Sequence, residues 1–558
     1  MKGGGLMSQV GIDVGGTFTD AVLLKEGSVE KIAKIPTETN LLHTLSNALD
    51  ELDIAGRTLE HITVSTTLVT NAILQNRLPE AKLFLLPGSG MKLEALPWPV
   101  AYEVLSGEID YRGREVSPPN ELEWYRAIRQ WYRNKVSNLV AVVGKFSHRN
   151  RLHEEQFAAM VTQADATAQI AMGHIWGQAN FYRRSLTTYL NLASRTLFSE
   201  FAGGLEEAVA QRGIQAPIAI LKADGGIQPL SQIRPVETIY SGPAASVLGA
   251  LAQNEASSFV VIDIGGTTTD LGIVLSNSPL PSSRGAKIGS FPTLVRSLAV
   301  RSVPIGGDSV VFRRGPNLVL AGYRQGPAVC LGGSAPTPTD AMCYLGLVPF
   351  GDRRKAEAAM ASLLEPTERE PQQLTKCAEH ILHMVADRIA QEIESLEKEW
   401  QEEPAYKVWE VLHPHEALQF HVWASGGAAA GLKNHLQKRL HTEVRIGKVP
   451  EVSNAIGAAL ARPTFSCTLH LDTFLRRYRI EETGEQGVWD GSKRPHSEIE
   501  AFLQQVAKRM AMDKGVDLRE AYKDEFDFFP IVQGFKTVGQ IVRGGLYVPP
   551  GVKRRLNQ

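Results

Sequence analysis

Two stretches of the chain repeat one order of apolar and polar positions: an apolar run, an Asp, a Gly-Gly pair, a Thr-rich turn and a second apolar run. Residues 11–24 read GIDVGGTFTDAVLL and residues 261–274 read VIDIGGTTTDLGIV; the two lie 250 positions apart and agree at seven of fourteen places. A solenoid period spans about 20–50 residues, so this spacing points to two related domains that open alike. Apolar residues rich in strand formers follow each turn, as in 22–24 and 271–274. The pattern therefore predicts a β-hairpin in each copy, with the glycines supplying unusual backbone angles.

Elsewhere, strand and helix patterns alternate. Leu41, Leu42, Leu45 and Leu49 predict a helix over 38–52. A strand at 61–64 leads to a helix over 68–75, and 138–143 reads as another strand. One long helix is expected over 185–210, a strand over 218–222 and a small-residue helix from 241 to 251. A long amphipathic helix is expected over 372–399, then a strand over 420–424 and a helix over 431–440. This alternation argues α/β architecture. After Arg462-Pro463 come charged strands (469–489), a polar helix (495–514) and Gly/Pro-punctuated strands (526–551), a smaller α+β region. The expected divisions are 8–195, 196–465 and 466–558.

Composition narrows the function classes. The apolar content of 43% suits large buried cores, and the formal net charge of -1 gives no support for broad nucleic-acid or membrane-surface binding. No apolar run approaches the roughly 20 residues that span a bilayer. The four cysteines form no C-x-x-C pair, which favours a reducing compartment over a disulfide framework or zinc ribbon. With no apolar signal core at the N-terminus, a cytoplasmic location is expected.

The candidate chemistry lies in the repeated turns. A phosphate tail needs several donors converging on its oxygens; close-approaching glycine backbone and Thr hydroxyls provide them. Gly15, Gly16, Thr17, Thr19, Gly265, Gly266, Thr267 and Thr268 are the expected phosphate ligands. Asp13 and Asp263, at the strand ends, are the expected catalytic Mg²⁺ ligands, since a hard cation takes carboxylate oxygens. Asp20 reads as structural, and Asp270 as orienting the hairpin or the metal. Asp308, in a second Gly-Gly turn with Gly306 and Gly307, is a candidate general base or metal ligand. Asp340 reads as a helix cap. His148 and His153 lack the His-Glu-x-x-His spacing and read as structural. The chain has no Walker-type loop, and its glycines precede a strand, unlike those of a Rossmann turn.

The paired hairpins resemble the two phosphate elements of the actin, heat-shock and sugar-kinase ATPase superfamily. The resemblance implies two duplicated ribonuclease H-like domains with ATP in the cleft between them. It also implies an adenosine turn, matched by FHVWASGGAAAGLKNHL at 420–436 with Ser425, Gly426 and Gly427. Within the superfamily the chain resembles the hydantoinase/oxoprolinase A family. The carrying segments are GIDVGGTFTDAVLL, VSTTLVTNAILQ (64–75), FYRRSLTTYLNLAS (181–194), KADGGI (222–227), SGPAASVLGA (241–250), LGGSAPTPTDAMCYLG (331–346) and EVSNAIGAAL (451–460), together covering roughly 9–465.

The family implies ATP and Mg²⁺ as cofactors and a small-molecule substrate whose lactam, imide or ketone carbonyl is activated by phosphorylation. Hydrolysis of a hydantoin- or 5-oxoproline-type cyclic amide is the leading expectation, with a B-type partner subunit or a homo-oligomer as the assembly. A ketone-carboxylase-like subunit, a small-molecule kinase and a non-catalytic nucleotide-gated binding module are the alternatives. The chain departs from the family at RSVPIGGDSV (301–310): Arg301 stands where many members have His, and Asp308 replaces a glycine.

Overall fold

The computed structural model describes residues 8–38, 40–401, 421–491, 496–524 and 526–557. Phe420 and Pro495, at the starts of an expected strand and helix, lie outside the described residues.

Both repeated motifs are β-hairpins in equivalent sheets. Ser8–Val14 pairs antiparallel with Phe18–Lys25 and parallel with Leu59–Thr66. Phe259–Ile264 pairs antiparallel with Thr269–Leu275 and parallel with His421–Ser425. The registers match, with Asp13 opposite Asp20 and Asp263 opposite Asp270. The first strand of each hairpin is buried at nearly every position because it is covered on both faces. Ser28–Pro36 extends the first sheet on the hairpin side. Its far edge comes from Ile218–Leu221 and Ile227–Pro229, which lie beyond the expected division at 195/196.

Two helices of small residues hold the sheets together. Ser453–Leu460 lies on the first hairpin, with Ile456 and Ala459 buried against Val22 and Leu24. Ser241–Gln253 lies on the second, with Val247 and Leu248 buried against Val261 and Val274. The backbones approach so closely that a Cβ on Gly457 would sit 2.0 Å from the Ala245 carbonyl oxygen, and one on Gly249 2.0 Å from that of Ser453. Small residues at these positions are therefore a packing requirement.

An additional α/β layer interrupts the first domain. Its parallel sheet orders Gln169–Met172, Leu139–Gly144, Lys82–Leu86 and Tyr102–Val104, with Glu121–Asn134 and Leu152–Ala164 packed alongside. The expected single helix over 185–210 is two, Phe181–Ala193 and Arg195–Ala210. They break at Ser194, whose hydroxyl bonds back to the Leu190 carbonyl at 2.6 Å. The long helix spans Pro371–Gln401. The C-terminal sheet pairs Phe465–Asp472 with Arg477–Ile480 and Lys536–Val548, and the helix His496–Asp513 packs on it over a core of its own.

Candidate active site

The hairpin turns close through Gly15 N–H to the Phe18 carbonyl (3.1 Å) and Gly265 N–H to that of Thr268 (3.0 Å). Two of the four glycines, Gly15 and Gly266, are needed for space. None of Gly15, Gly16, Gly265 and Gly266 has positive φ, which corrects the expectation of unusual angles. A Cβ on Gly15 would meet the Phe18 carbonyl oxygen at 2.8 Å, and one on Gly266 the Asp308 carboxylate at 2.8 Å. Gly16 and Thr267 are exposed, and Gly15, Gly265, Thr17 and Thr268 are half-buried, so the turn tips are open to a ligand. Thr19 is not: it is fully buried, with its hydroxyl 2.9 Å from that of Thr37. Its position in the hairpin register faces it into the core, and this corrects its expected place among the phosphate ligands. Its counterpart Thr269 is likewise buried, donating to the Ile305 carbonyl at 2.6 Å.

The two strand-end carboxylates have matching surroundings. Asp13 is buried and accepts from the Ser65 hydroxyl at 2.5 Å and the Asn454 amide at 3.2 Å. Asp263 accepts from the Ser246 hydroxyl at 2.8 Å and the Ser425 hydroxyl at 3.4 Å. Burial pushes the Asp13 carboxyl up to about 6, against the Ser65 hydrogen bond, with Asp20 and Asp263 adding repulsion. Asp270 is driven up to about 7, first by burial and then by the charge of Asp263. Its Oδ1 is buried without a hydrogen-bond partner among the described residues. Asp20 is raised by burial but held against it by Lys34 at 2.6 Å, which agrees with a structural role. A cluster of hard oxygen donors kept part-protonated by burial and, after it, by mutual repulsion, one of them orphaned, fits a divalent cation.

A pH dependence follows. Asp13 and Asp270 have folded pKa values above that of the free side chain, so their ionisation opposes folding. The stability present at low pH is lost as pH rises from about 4 through 6–7, while cation affinity grows over the same range. In metal-free protein, Asp270→Asn should flatten the fall of Tm between pH 5 and 8. Addition of Mg²⁺ with ADP should raise Tm more at pH 8 than at pH 5.5, as differential scanning calorimetry would show.

The other expected site residues converge on the second hairpin. Gly426, at φ +89°, leaves no room for a Cβ, which would lie 2.4 Å from the Ile264 carbonyl oxygen and 2.6 Å from the Asp263 carboxylate. Gly427 has open space on its Cβ side. The Gly306–Gly307 turn docks on the same hairpin, with Gly307 N–H donating to Gly265 O (2.9 Å) and Asp308 N–H to Gly266 O (2.7 Å). Both Asp308 oxygens are engaged, Oδ1 by the Thr339 hydroxyl at 3.3 Å and Oδ2 by Arg324 at 3.0 Å. Arg324 also donates to the Thr17 hydroxyl at 2.8 Å, so one guanidinium ties the second-domain turn to the first hairpin. Arg301 points the other way, paired with Glu392 (3.0 Å) and Glu399 (2.6 Å) of the long helix. Neighbours on a strand face opposite sides, which leaves Ser302, opposite Asp270, on the site side.

Sequence reasoning did not single out Ser65, Ser246, Asn454 or Arg324. Ser65 and Ser246 lie in or beside quoted family segments, whereas nothing local marks Arg324. Asp340 is not the N-cap expected of it: Thr337 caps the helix Pro338–Tyr344, and Asp340, in its first turn, closes a capping box by accepting from the Thr337 N–H at 2.9 Å. His148 and His153 are buried with separate partners, Arg184 at 3.3 Å and Glu115 at 2.7 Å. Among the described residues, Glu379, His383 and His435 bring metal-ligating atoms within 4.8 Å of one another. There the Glu379–His435 pair, at 2.7 Å, ties the long helix to Ala429–Leu440.

Duplicated hairpin sheets joined by a close-packed helix pair, with both turns at one cleft, define a two-domain actin-like fold. The chain belongs to the hydantoinase/oxoprolinase family: residues 184–466 match that family and residues 9–164 its N-terminal region. It is 27% identical over 388 residues to the caprolactamase subunit alpha of Pseudomonas jessenii, covering 62% of this chain and 55% of that one. It is 26% identical over 394 residues to the acetophenone carboxylase gamma subunit of Aromatoleum aromaticum, covering 61% and 53%. The chain thus spans about half the length of these curated relatives. The fold is shared with a nucleotide-free acetone carboxylase structure at a TM-score of 0.74 and 14% identity, covering 99% of this chain and 89% of that one. No helix among the described residues is long and apolar enough to cross a membrane.

Proposed function

We propose that the cleft binds Mg-ATP and uses it to activate the carbonyl of a cyclic amide of the hydantoin or 5-oxoproline type for hydrolysis. The observation that carries this reading is the matched pair of strand-end carboxylates, Asp13 and Asp263, each oriented by a serine hydroxyl within one duplicated clamp. Relatives named as a caprolactamase subunit and a 5-oxoprolinase support a cyclic amide as substrate. The relative named as an acetophenone carboxylase subunit supports the second reading, carboxylation of a ketone activated in the same way. Both relatives named as subunits favour a partner chain, such as a B-type subunit.

In this proposal Gly15, Gly16, Thr17, Gly265, Gly266, Thr267 and Thr268 receive the phosphates, and the Ser425-Gly426-Gly427 turn receives the nucleoside. Asp13 and Asp263, with Asp270, would hold Mg²⁺, which when bound neutralises phosphate charge. Arg324 contributes a fixed positive charge beside Thr17, and Asp308 positions it. Phosphoryl transfer to the carbonyl oxygen would give the ring carbon a good leaving group. Water would then add at that carbon, and the C–N bond would break as the ring nitrogen takes a proton, leaving an acyl phosphate that a second water would hydrolyse to carboxylate and free phosphate. The chain's share of this work is alignment and charge placement.

The test is phosphate release from Mg-ATP with and without 5-oxoproline, hydantoin and simple ketones. Stimulation by a cyclic amide with ring opening supports the leading reading, and stimulation by a ketone with bicarbonate supports the second. Tight nucleotide binding with no stimulation by either counts against both. Arg324→Ala is expected to lower kcat/KM for ATP by about tenfold to a hundredfold, with Arg324→Lys intermediate. Unchanged steady-state kinetics in Arg324→Ala would remove this residue from the site.

A further inference from the structure

A second charged pocket lies between the C-terminal sheet and the layer inserted in the first domain. Its volume is about 280 Å³, and its walls include Arg112, Arg149, Arg477, Arg479, His470 and Tyr478. Arg477 and Arg479 are two apart on one strand and share a face, and His470 stands directly across from Arg479. Arg112 and Arg149 come from the inserted layer. The two bodies meet tightly here: the Gln486 amide donates to the His148 carbonyl at 2.9 Å, and a Cβ on Gly177 would lie 2.0 Å from the Glu481 carbonyl oxygen.

Four arginines share this wall with a single carboxylate, Asp472. None of the four is ion-paired among the described residues. Of the nearby acids, Glu481 pairs with His470 at 2.7 Å while its charge also favours the Arg479 cation, and Asp472 accepts the N–H groups of Phe474 and Leu475 at one oxygen, at 2.9 Å each. Unpaired arginine on a wet surface is ordinary, but Arg479 is only 8% exposed and its Nη1 is buried with no hydrogen-bond partner. A buried guanidinium with an unsatisfied donor is costly, and proteins keep such groups where a ligand supplies the partner. Burial lowers the Arg479 pKa to about 10, which leaves it fully charged at neutral pH. Beside Asp472 and Gln486 the wall has an apolar side, where Leu475, Val488 and Ile541 are exposed at 42%, 75% and 46%.

We infer that this pocket is a binding site for a small organic anion, with a phosphate or carboxylate head gripped by Arg149, Arg477 and Arg479 and an apolar body against Leu475, Val488 and Ile541. Arginine forks match both kinds of head, and the surplus of positive charge favours the dianionic phosphate. The volume suits a body of about one ring, at the small end of ligand pockets. The inference stands whether or not the cleft turns over ATP, because no residue is shared.

The experiment is calorimetric titration of the full chain with phenyl phosphate, and in separate arms with phenylacetate, phenol and a poly-glutamate peptide. One phenyl phosphate per chain is expected, bound more tightly than phenylacetate, with phenol and the peptide much weaker. Arg149→Ala/Arg477→Ala, changed only at exposed positions, should weaken phenyl phosphate by about tenfold or more, since each charge-assisted contact is worth about that much. Arg324→Ala, in the cleft, should leave that affinity unchanged. Arg479→Met should lose binding while the ligand-free Tm holds or rises, because an unpaired buried charge has been removed. The inference is overturned by no binding at millimolar ligand, by equal binding of phenol or tighter binding of the peptide, by unchanged affinity in Arg149→Ala/Arg477→Ala, or by binding lost in Arg324→Ala. A lowered Tm with unchanged affinity in Arg479→Met also overturns it, since that outcome makes Arg479 a structural residue.

Discussion

Replacing Asp13 by asparagine is expected to reduce substrate-stimulated ATP turnover by at least about a hundredfold while leaving the protein folded. Asparagine keeps the size of the side chain and the contact with Ser65, so the first hairpin should keep its shape. What is lost is a carboxylate whose ionisation burial already resists. A buried anion of this kind is favoured by a cation beside it, so its removal should take the cation's contribution with it. Loss of one preorganised charge contact at a reacting centre costs about 10²–10³ in rate. Asp263→Asn should behave in the same way, because Ser246 holds that carboxylate as Ser65 holds Asp13. Phosphate release and circular dichroism on the same preparations check this. Turnover within a fewfold of wild type in folded Asp13→Asn would remove the carboxylate from the site.

Gly11→Ala should unfold the protein at a temperature lower by roughly 10 °C, or prevent its accumulation. The new Cβ would lie 1.9 Å from the Ala455 carbonyl oxygen and 2.8 Å from the Ala459 Cβ. Both atoms belong to Ser453–Leu460, the helix that joins the two halves, so neither neighbour can retreat without parting the domains. Overpacking in a tight core costs about 1–3 kcal/mol, and backbone on one side places this site at or above the upper end. Gly203→Ala gives the contrast. It sits within Arg195–Ala210, where an added Cβ meets nothing within 4 Å, and it should hold or raise Tm by the helix preference of alanine over glycine. Thermal denaturation of the two variants side by side is the check. Equal Tm values would contradict the packing account.

The hairpins were legible in the sequence because their information is local: apolar run, turn and apolar run sit within fourteen residues and occur twice. The strand, Gly-Gly turn and helix from His421 to Leu440 were legible for the same reason. The sequence could not show what completes the site, because distant residues do so. Asn454 reaches Asp13 across 441 positions, and Arg324 reaches Thr17 across 307. The glycine argument was right about position and mistaken about cause, since a backbone that passes 2.8 Å from a would-be Cβ leaves no trace in local turn grammar. Thr19 was misplaced because a Thr-rich turn shows no inside or outside until the register turns one hydroxyl to Thr37. The inserted layer escaped notice as a unit because its strands are short and pair only with one another.

The central claim is that the two duplicated hairpins form one magnesium-dependent nucleotide clamp. Calorimetric titration of the full chain with a non-hydrolysable ATP analogue, with and without Mg²⁺, tests it most directly. The account predicts one nucleotide per chain, strengthened by Mg²⁺ in wild type, with the Mg²⁺ effect lost in Asp13→Asn/Asp263→Asn. Binding that is absent in wild type, or equally Mg²⁺-dependent in the double variant, would contradict it.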